Sequence, residues 1–433
     1  MYTVALYTLG CKVSQYESEA IGEEFERRGF RIGDFREKCD VYVINTCTVT
    51  AESDRKSRQV IRRALKTNPS AVVIVLGCYS QRSPDEVARI PGVSGVFGSA
   101  DKLSCVDFAE RMLIGGTTVP TVSVGDIDEA PFEPMHITRA PRTRAYVKIE
   151  DGCECRCSYC AIPSARGRVR SKPPADVISE VEGLYRSGTR EIVLTGIETA
   201  SYGSDFGNGY SLADLIAELD RRHSCDRLRL GSLAPELIDE RFVERVRGTS
   251  ILAPHFHLSV QSGSNAVLRG MRRRYTRERA LENIERLKAA FPNANFTTDM
   301  MVGFPGETEE DFLMTMDFAS RVRFLDIHVF AYSKRKNTPA ALYSDQVPEE
   351  IKRERSERLI KHKNGIRAEL LSKAVSDREP LRAILENREG RVYTAHTDSF
   401  IELRVEGDGG LSGEIVKVLP LSTDGEVIFA KII

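Results

Sequence analysis

Short apolar runs alternate with amphipathic stretches over the first 112 residues of the chain. The runs are rich in β-branched residues and lie at 4–8, 41–45 and 71–76. Stretches with the apolar period of a helix separate them, near 18–28 and 54–66. Strands that alternate with helices in this way are typical of βαβ units and a parallel sheet. The pattern therefore predicts an α/β domain over residues 1–114.

The same alternation then repeats six times in the middle of the chain. The predicted strands are 145–150, 191–195, 227–233, 255–260, 295–302 and 325–330. The predicted helices between them are 175–186, 212–221, 236–247, 277–290 and 309–321, and a long charged helix at 349–373 follows the last strand. Six strand–helix units predict a partial (β/α)6 barrel over residues 144–374, with its chemistry at the carboxyl ends of the strands.

Two further segments complete the predicted organisation. Residues 115–143 are rich in Pro, Gly, Thr and acidic residues, which is typical of a linker. Residues 375–433 contain five short strands separated by Gly-containing turns, which predict a small β-barrel of a kind that often binds nucleic acid. The predicted fold class is therefore α/β, with an all-β domain at the end.

The composition narrows the class of protein. Apolar residues make up 41% of the 433 residues, but no apolar run approaches the roughly 18 residues of a membrane helix. The first residues lack the pattern of a secretory signal, so we expect a cytoplasmic protein with no membrane partner. In a reducing compartment, clustered members of its 10 cysteines favour metal ligation or catalysis over disulfides. The net charge of −1 leaves room for local basic surfaces among 62 Lys and Arg residues.

The strongest chemical motif is DGCECRCSYC, in which Cys153, Cys157 and Cys160 have the spacing C-x3-C-x2-C. The motif follows the first predicted barrel strand. Three thiolates in one short loop can bind three irons of a cubane cluster and leave the fourth iron open for chemistry. The alternative is a structural zinc site completed by a distant ligand such as His257, although such a site needs four protein ligands. Cys155, in the same loop, is an alternative ligand to Cys153.

A second set of cysteines follows three strands of the predicted N-terminal sheet. Cys11, Cys47 and Cys78 each lie just past a strand, and the carboxyl ends of parallel strands share one edge of a sheet. A single cysteine in such a place would be interpreted as a small buried apolar residue. Three at equivalent strand ends favour a second cluster with one open iron. The remaining cysteines outside the two sets are interpreted as packing residues: Cys39, Cys105 and Cys225.

With these motifs, the chain resembles the radical S-adenosylmethionine superfamily and, over its whole length, the methylthiotransferase family within it. The runs that carry this resemblance are TLGCKVSQYES, NTCTVT, GCYSQ, AIPSARGRVRS, HLSVQSGS, MRRRYTRE and MVGFPGETEEDF. The resemblance implies a radical SAM barrel in the middle and a TRAM-like barrel at the end. It also implies two [4Fe–4S] clusters and S-adenosyl-L-methionine as cofactors, with all six clustered cysteines as metal-binding and catalytic residues.

The resemblance further implies how the cofactor is held. In that family the reduced cluster cleaves S-adenosylmethionine to give a 5′-deoxyadenosyl radical, and a second molecule methylates the sulfur that is transferred. The positions that match the cofactor-binding positions are Tyr159, Thr195, Gly196, Glu198, Ser232 and Gln261. Three residues depart from the family pattern, because Ser14, Glu154 and Glu198 stand where Asn is common.

The residues beside the cysteines, Lys12 and Lys56 among them, resemble the branch that acts on threonylcarbamoyladenosine beside the anticodon of tRNA. The isopentenyladenosine and ribosomal-protein branches are the alternatives within the family. A zinc-stabilised RNA-binding protein without catalysis is the alternative outside it. An electron donor is implied as a partner, and no oligomer is implied.

Basic runs near the cluster loop are candidate contacts to tRNA phosphates, which fix position without reading sequence. They include Arg166, Arg168, Arg170, Arg272, Arg273 and Arg274. His255 and His257 alternate along one predicted strand and so share a face. Interior barrel packing, or polar contacts near the cofactor, is a better interpretation of this pair than a metal site.

Overall fold

A computed structural model describes residues 1–115 and 120–433 and confirms the α/β fold class. The first part is a six-stranded parallel sheet in the order β2-β1-β3-β4-β5-β6. Its strands are β1 (Thr3–Thr8), β2 (Arg31–Ile32), β3 (Val41–Thr46), β4 (Val72–Gly77), β5 (Gly95–Phe97) and β6 (Thr121–Ser123). Its helices are α1 (Lys12–Arg27), α2 (Ala51–Thr67), α3 (Cys78–Arg82), α4 (Pro84–Ala88) and α5 (Ser104–Gly115).

The segment predicted as a linker contributes a strand to this sheet. β6 lies within residues 115–143 and pairs in parallel with β5. Residues 116–119 of the same segment lie outside the described residues. The predicted domain boundaries remain predictions.

The middle of the chain forms two parallel sheets that together make the partial barrel, β11-β10-β7 and β12-β13-β14-β15. The strands are β7 (Arg144–Lys148), β8 (Glu150–Asp151), β9 (Arg170–Ser171), β10 (Glu191–Thr195), β11 (Arg227–Leu230), β12 (Ser232–Leu233), β13 (His255–Gln261), β14 (Asn295–Val302) and β15 (Asp326–Ala331). β8 and β9 form a separate antiparallel pair. The helices are α6 (Ile162–Arg166), α7 (Pro174–Arg186), α8 (Leu212–Arg221), α9 (Glu240–Val246), α10 (Asn265–Gly270), α11 (Arg277–Ala290), α12 (Glu309–Val322) and α13 (Glu349–Asp377).

Two predicted barrel elements differ from the observed ones for local reasons. The strand predicted at 227–233 is interrupted at Gly231, where a Cβ would lie 2.6 Å from Thr199 Oγ1 and 3.1 Å from the Leu194 carbonyl oxygen. The chain changes its pairing partner at this glycine, because β11 pairs with β10 whereas β12 pairs with β13. The helix predicted at 236–247 begins only at Glu240, because Asp239 caps it by accepting from the Phe242 N–H at 2.8 Å.

The last part is a closed five-stranded barrel in the order β16-β17-β18-β20-β19. Its strands are β16 (Leu381–Glu389), β17 (Val392–Thr397), β18 (Glu402–Glu406), β19 (Ile415–Thr423) and β20 (Ile428–Ile432). Helix α13 contacts both β15 and β19 and so joins this barrel to the central one.

One apolar core runs from the N-terminal sheet into the central barrel. It includes Phe25 of α1, Val43 of β3 and Phe256 of β13, all fully or almost fully buried. Helix α1 packs against β7, the first barrel strand. The amino end of α1, where Cys11 lies, is therefore held against the barrel. No helix in the described ranges has the length and apolar character required to span a membrane.

Candidate active site

Three strand-to-helix junctions bring Cys11, Cys47 and Cys78 together. Cys11 is the N-cap of α1, Cys47 directly follows β3, and Cys78 opens α3 directly after β4. Gly10 has φ +128°, and a Cβ there would lie 3.2 Å from Cys47 Cβ. Burial, and to a smaller extent the nearby Cys78 and Cys11 thiols, raise the pKa of the Cys47 thiol to about 11. Three adjacent thiols fit a metal centre, which deprotonates its cysteine ligands.

Cys78 contacts the buried guanidinium of Arg166, which the sequence indicated as a phosphate contact and not as a neighbour of a cluster ligand. The Nε of Arg166 donates to Cys78 Sγ at 3.1 Å, and its other nitrogens bind Glu17 and Asp151. Burial raises the pKa of the Cys78 thiol, and Arg166 opposes that shift. Arg166 therefore favours the thiolate form of a candidate cluster ligand.

The expected phosphate contacts need correction at three of the six basic residues. Arg166 and Arg170 are buried, and Arg170 donates to the carbonyl oxygens of Ile127, Ala130 and Arg166. The side chain of Arg273 is also buried and donates to the Ser259 carbonyl oxygen at 2.8 Å. These guanidiniums are occupied inside the protein and so are not free to bind phosphate. The exposed members of the set remain candidates: Arg168, Arg272 and Arg274.

The other cysteine set lies in the loop between β8 and α6. The Cys160 N–H donates to the Cys157 carbonyl oxygen at 3.0 Å, which makes a tight turn between two of the predicted ligands. The Ile162 N–H donates to Cys160 Sγ at 3.4 Å, and Arg273 donates to Cys157 Sγ at 3.5 Å. Burial raises the pKa of Cys157 and that of Cys160, the latter to about 12. As at the first set, a bound metal would supply the charge that these thiolates need.

Cys153 and Cys155 lie close together in the same loop. The interaction between the two thiols raises the pKa of Cys153 and lowers that of Cys155. The interpretation of Cys155 as an alternative ligand therefore stays open. The cysteines interpreted as packing residues are all buried: Cys39, Cys105 and Cys225.

The predicted cofactor-binding residues lie at the ends of the barrel strands. Thr195 ends β10, Ser232 begins β12 and Gln261 ends β13. Gln261 is buried with φ +68°, and its Oε1 has no hydrogen-bond partner among the residues that the structure describes. Such a strained and unsatisfied amide fits a residue that binds an amine or hydroxyl of the cofactor.

Two carboxylates beside these residues are held in place by backbone donors. Glu150 accepts from the Glu198 N–H at 2.9 Å, and Glu198 accepts from the Ala234 N–H at 2.8 Å. A Cβ at Gly196 would lie 2.4 Å from Glu150 Oε2, so glycine is required there. Burial raises the pKa of Glu198 to about 8. The side chain of Tyr159 packs beside an apolar cluster that includes Val267.

A cavity of about 640 Å³ occupies the interior of the barrel, and we call it the shared cavity. All three parts of the chain line it. Cys11 and Lys12 come from the N-terminal sheet domain, Thr195 and Ser232 from the barrel strands, and Phe400 from the C-terminal barrel. Its size is that of a typical ligand pocket. Cys11, a candidate cluster ligand, and three of the predicted cofactor-binding residues, Thr195, Gly196 and Ser232, thus line a common space.

The wall of the shared cavity carries a polar group that sequence reasoning missed. His257 Nε2 lies 3.2 Å from Asp299 Oδ2, and His328 Nδ1 lies 3.2 Å from Asp299 Oδ1. One ligand atom from each residue lies within 4.8 Å of the others, so the trio could hold a cation. The signal in the sequence was weak, because Asp299 shows only as one inward position on β14. His257 also bonds Thr297 Oγ1 at 2.9 Å, as does His255 at 3.0 Å.

Comparisons with known proteins agree with this geometry. Residues 147–319 match the Radical SAM superfamily, and residues 3–98 match the Uncharacterized protein family UPF0004. The chain is 42% identical over 424 residues to a protein of Bacillus subtilis (strain 168) named threonylcarbamoyladenosine tRNA methylthiotransferase MtaB, covering 96% of this chain and 93% of that protein. This chain belongs to the radical S-adenosylmethionine methylthiotransferase family.

Other members of the family are also similar along most of their length. The chain is 36% identical to the protein of the same name from Aquifex aeolicus (strain VF5), covering 96% of this chain and 99% of that one. It is 34% identical to a tRNA-2-methylthio-N(6)-dimethylallyladenosine synthase of Acetivibrio thermocellus, covering 95% and 87%. As a member of this radical SAM methylthiotransferase family, the protein is an enzyme that uses S-adenosylmethionine and [4Fe–4S] clusters.

A solved structure shares the fold at low sequence identity. The radical S-adenosylmethionine methyltransferase TsrM from Kitasatospora setae, solved with cobalamin and a [4Fe–4S] cluster, superposes with a TM-score of 0.59 at 19% identity. The match covers 79% of this chain and 77% of that one. The likeness concerns the fold alone.

Proposed function

We propose that this enzyme adds a methylthio group to C2 of N6-threonylcarbamoyladenosine beside the anticodon of tRNA. The observation that carries the proposal is the 42% identity, over 96% of the chain, to a relative named for this nucleoside. The shared cavity supports it, because Cys11 and the cofactor end of the barrel border one space large enough for a modified nucleoside.

The proposed ligand sets follow the two groups of cysteines. Cys153, Cys157 and Cys160 bind the cluster that cleaves S-adenosylmethionine, and Cys11, Cys47 and Cys78 bind the cluster that donates sulfur. When bound, these groups supply a radical able to remove hydrogen from an unactivated aromatic carbon, together with the sulfur that replaces it. The protein contributes positioning: Tyr159, Thr195, Gly196, Glu198, Ser232 and Gln261 are the proposed contacts to S-adenosylmethionine.

The remaining parts of the proposal concern partners and location. The exposed Arg168, Arg272 and Arg274 contact phosphates of the anticodon stem-loop, and Arg274 lies beside the cluster loop, with its guanidinium on the Glu154 carbonyl oxygen at 2.9 Å. The barrel at 375–433 is TRAM-like and adds nucleic-acid contacts. An electron donor is the further partner that the proposal requires, and a tRNA substrate supports a cytoplasmic location.

The alternatives differ in what they predict. An isopentenyladenosine enzyme would modify a different nucleoside, and a ribosomal-protein enzyme would leave tRNA unchanged. Nucleosides from tRNA of a strain lacking the gene, compared with the parent strain by mass spectrometry, separate these outcomes. Loss of the methylthio form of threonylcarbamoyladenosine supports the proposal, and its persistence in the deletion strain contradicts it.

Metal analysis separates the enzyme from a zinc-stabilised RNA-binding protein. We expect about eight irons per chain after anaerobic reconstitution, whereas the zinc alternative predicts one or two zinc ions and no colour.

The Cys157→Ala variant should lose cleavage of S-adenosylmethionine and about four irons, because the radical cluster would lack a ligand. Cys225→Ala is the matched control, because Cys225 is buried away from both cysteine sets in the apolar core. Cleavage that persists in Cys157→Ala would contradict the proposed ligand set.

A further inference from the structure

Most charged groups that line the shared cavity are paired with one another. The guanidiniums of Arg144 and Arg229 share the Glu191 carboxylate, at 3.0 and 3.2 Å. Asp299 binds His257 and His328, and Asp326 binds Lys363 at 2.7 Å. Paired charges of this kind stabilise the wall and leave little binding capacity for a ligand.

Lys12 is different. Its side chain is accessible to solvent, and it lines the shared cavity. Within residues 1–115 and 120–433, no hydrogen bond or ion pair engages its ammonium group. Arg229 and Arg144 lie near enough to add positive potential, and Asp299 lies near enough to oppose part of it.

The local backbone strengthens this positive potential. Lys12 is the first residue of the 16-residue helix α1, whose amino end carries unpaired N–H groups and the positive end of the helix dipole. No acidic residue occurs in the first turn of α1. The Lys12 ammonium has no partner among the described residues and lies near two guanidiniums and the amino end of a helix, so this wall is complementary to an anionic ligand.

We propose that the Lys12 ammonium binds the carboxylate of the substrate's threonylcarbamoyl group, so that this end of the shared cavity selects an adenosine with an acidic N6 substituent. The inference rests on the proposed function. An isopentenyl substituent carries no charge and would leave the ammonium without a partner.

The position of Lys12 along the chain agrees with the chemistry of the base. In adenine, C2 and C6, the carbon that bears N6, are the two neighbours of ring nitrogen N1. A group that binds the N6 substituent must therefore lie near the group that delivers sulfur to C2. Lys12 directly follows Cys11, a proposed ligand of the sulfur-donating cluster, and both residues line the shared cavity.

The test compares two anticodon stem-loops that differ only at this carboxylate. One contains threonylcarbamoyladenosine and the other contains its methyl ester, so both have the same phosphates and the same bulk apart from one methyl group. Dissociation constants are measured by fluorescence anisotropy with the reconstituted enzyme and no reductant, so that no turnover occurs. We expect the ester to bind about 10- to 100-fold more weakly, which is typical for loss of a hydrogen bond to a charged group.

Variants then assign the effect to one side chain. Lys12→Met should bind the acid as weakly as the wild type binds the ester and should show no further loss with the ester. Lys12→Arg should retain most of the preference for the acid. Lys38→Met is the matched control, because Lys38 is an exposed lysine of the same domain that does not line the cavity.

Failure of the carboxylate site and failure of the proposed function would give different results. Equal binding of acid and ester by the wild type would overturn the carboxylate site, even if the enzyme methylthiolates threonylcarbamoyladenosine as proposed. Failure of the wild type to modify that nucleoside under reducing conditions would overturn the proposed function itself. The iron content of Lys12→Met shows whether that variant retains the neighbouring cluster. If the variant loses the cluster, the comparison of acid and ester with the wild-type enzyme alone tests the carboxylate site.

Discussion

Arg166 shows how far sequence alone can assign a role to one side chain. It belongs to the run ARGRVRS, where basic residues alternate, and that pattern gave no reason to separate Arg166 from its exposed neighbour Arg168. The cysteines were easier to assign, because their spacing and their positions directly after strands indicate metal ligation. The partner of Arg166 is Glu17, which is 149 residues away, so only the folded chain brings the two together.

Replacing Arg166 with Met should reduce the free energy of unfolding of the apoprotein by about 1 to 3 kcal/mol, the usual cost when a buried polar group loses one hydrogen-bond partner. The change removes the guanidinium from the buried Glu17 carboxylate, which keeps the ammonium groups of Lys102 and Lys148 as partners. Urea denaturation measures the loss. Arg168→Met is the control and should stay within about 0.5 kcal/mol of the wild type, because Arg168 is exposed. Equal stabilities of the two variants would contradict the role given to the buried guanidinium.

At the scale of elements, the strand-to-helix junctions position the candidate cluster ligands Cys11, Cys47 and Cys78. The apolar pattern predicted most strands and helices within a few residues, because central strands such as β3 and β4 are buried on both faces and read as apolar runs, whereas amphipathic helices bury one periodic face. Helix α1 begins six residues before the predicted start at 18, because Cys11 acts as its N-cap and the first turn carries polar residues that hid the helical period. Close backbone contacts, such as the one at Gly231, cannot be read from periodicity at all.

The junction at Gly77 should not tolerate a side chain. Its φ is +95°, and a Cβ would lie 2.5 Å from Asn45 Oδ1 and 2.8 Å from the Thr46 carbonyl oxygen. Gly77→Ala should therefore cost about 1 to 3 kcal/mol more than Gly29→Ala, whose φ is +84° and whose Cβ would meet nothing within 4 Å. Urea denaturation gives the difference, and iron content of the reconstituted protein reports whether Cys78 is displaced. A difference below about 0.5 kcal/mol, the resolution of such measurements, would contradict the predicted clash.

At the scale of the whole molecule, the three parts of the chain meet around the shared cavity. The sequence predicted each part separately, but the contacts between them depend on the final packing. Phe400 of the C-terminal barrel stacks on His255 at a centroid distance of 4.4 Å and lies under the Arg229 guanidinium at 4.9 Å. No periodicity in residues 375–433 indicates that this aromatic side chain would close the cavity.

This interface should make the protein sensitive to acid. Burial lowers the pKa of His255 well below its usual value, and Arg229, His257 and Lys12 lower it further. The unfolded chain therefore binds a proton at His255 at a higher pH than the folded protein does. Stability from this group is present above the unfolded pKa of about 6.5 and is lost as the pH falls, by up to about 1.4 kcal/mol per pH unit.

The His255→Gln variant tests this expectation. Glutamine keeps a polar group near Thr297 but does not titrate, so the stability of the variant should fall less steeply between about pH 6.5 and pH 5 than that of the wild type. Urea denaturation at several pH values gives the two slopes. Parallel slopes would mean that other groups cause the acid sensitivity.

The contribution of Phe400 to the wall of the shared cavity has a consequence for how the protein is made. Phe400 is encoded more than nine-tenths of the way along the 433 residues. A ribosome must therefore synthesise nearly the entire polypeptide before this chamber can be enclosed, and a message truncated upstream of that codon yields a product whose reaction compartment stands open to bulk water.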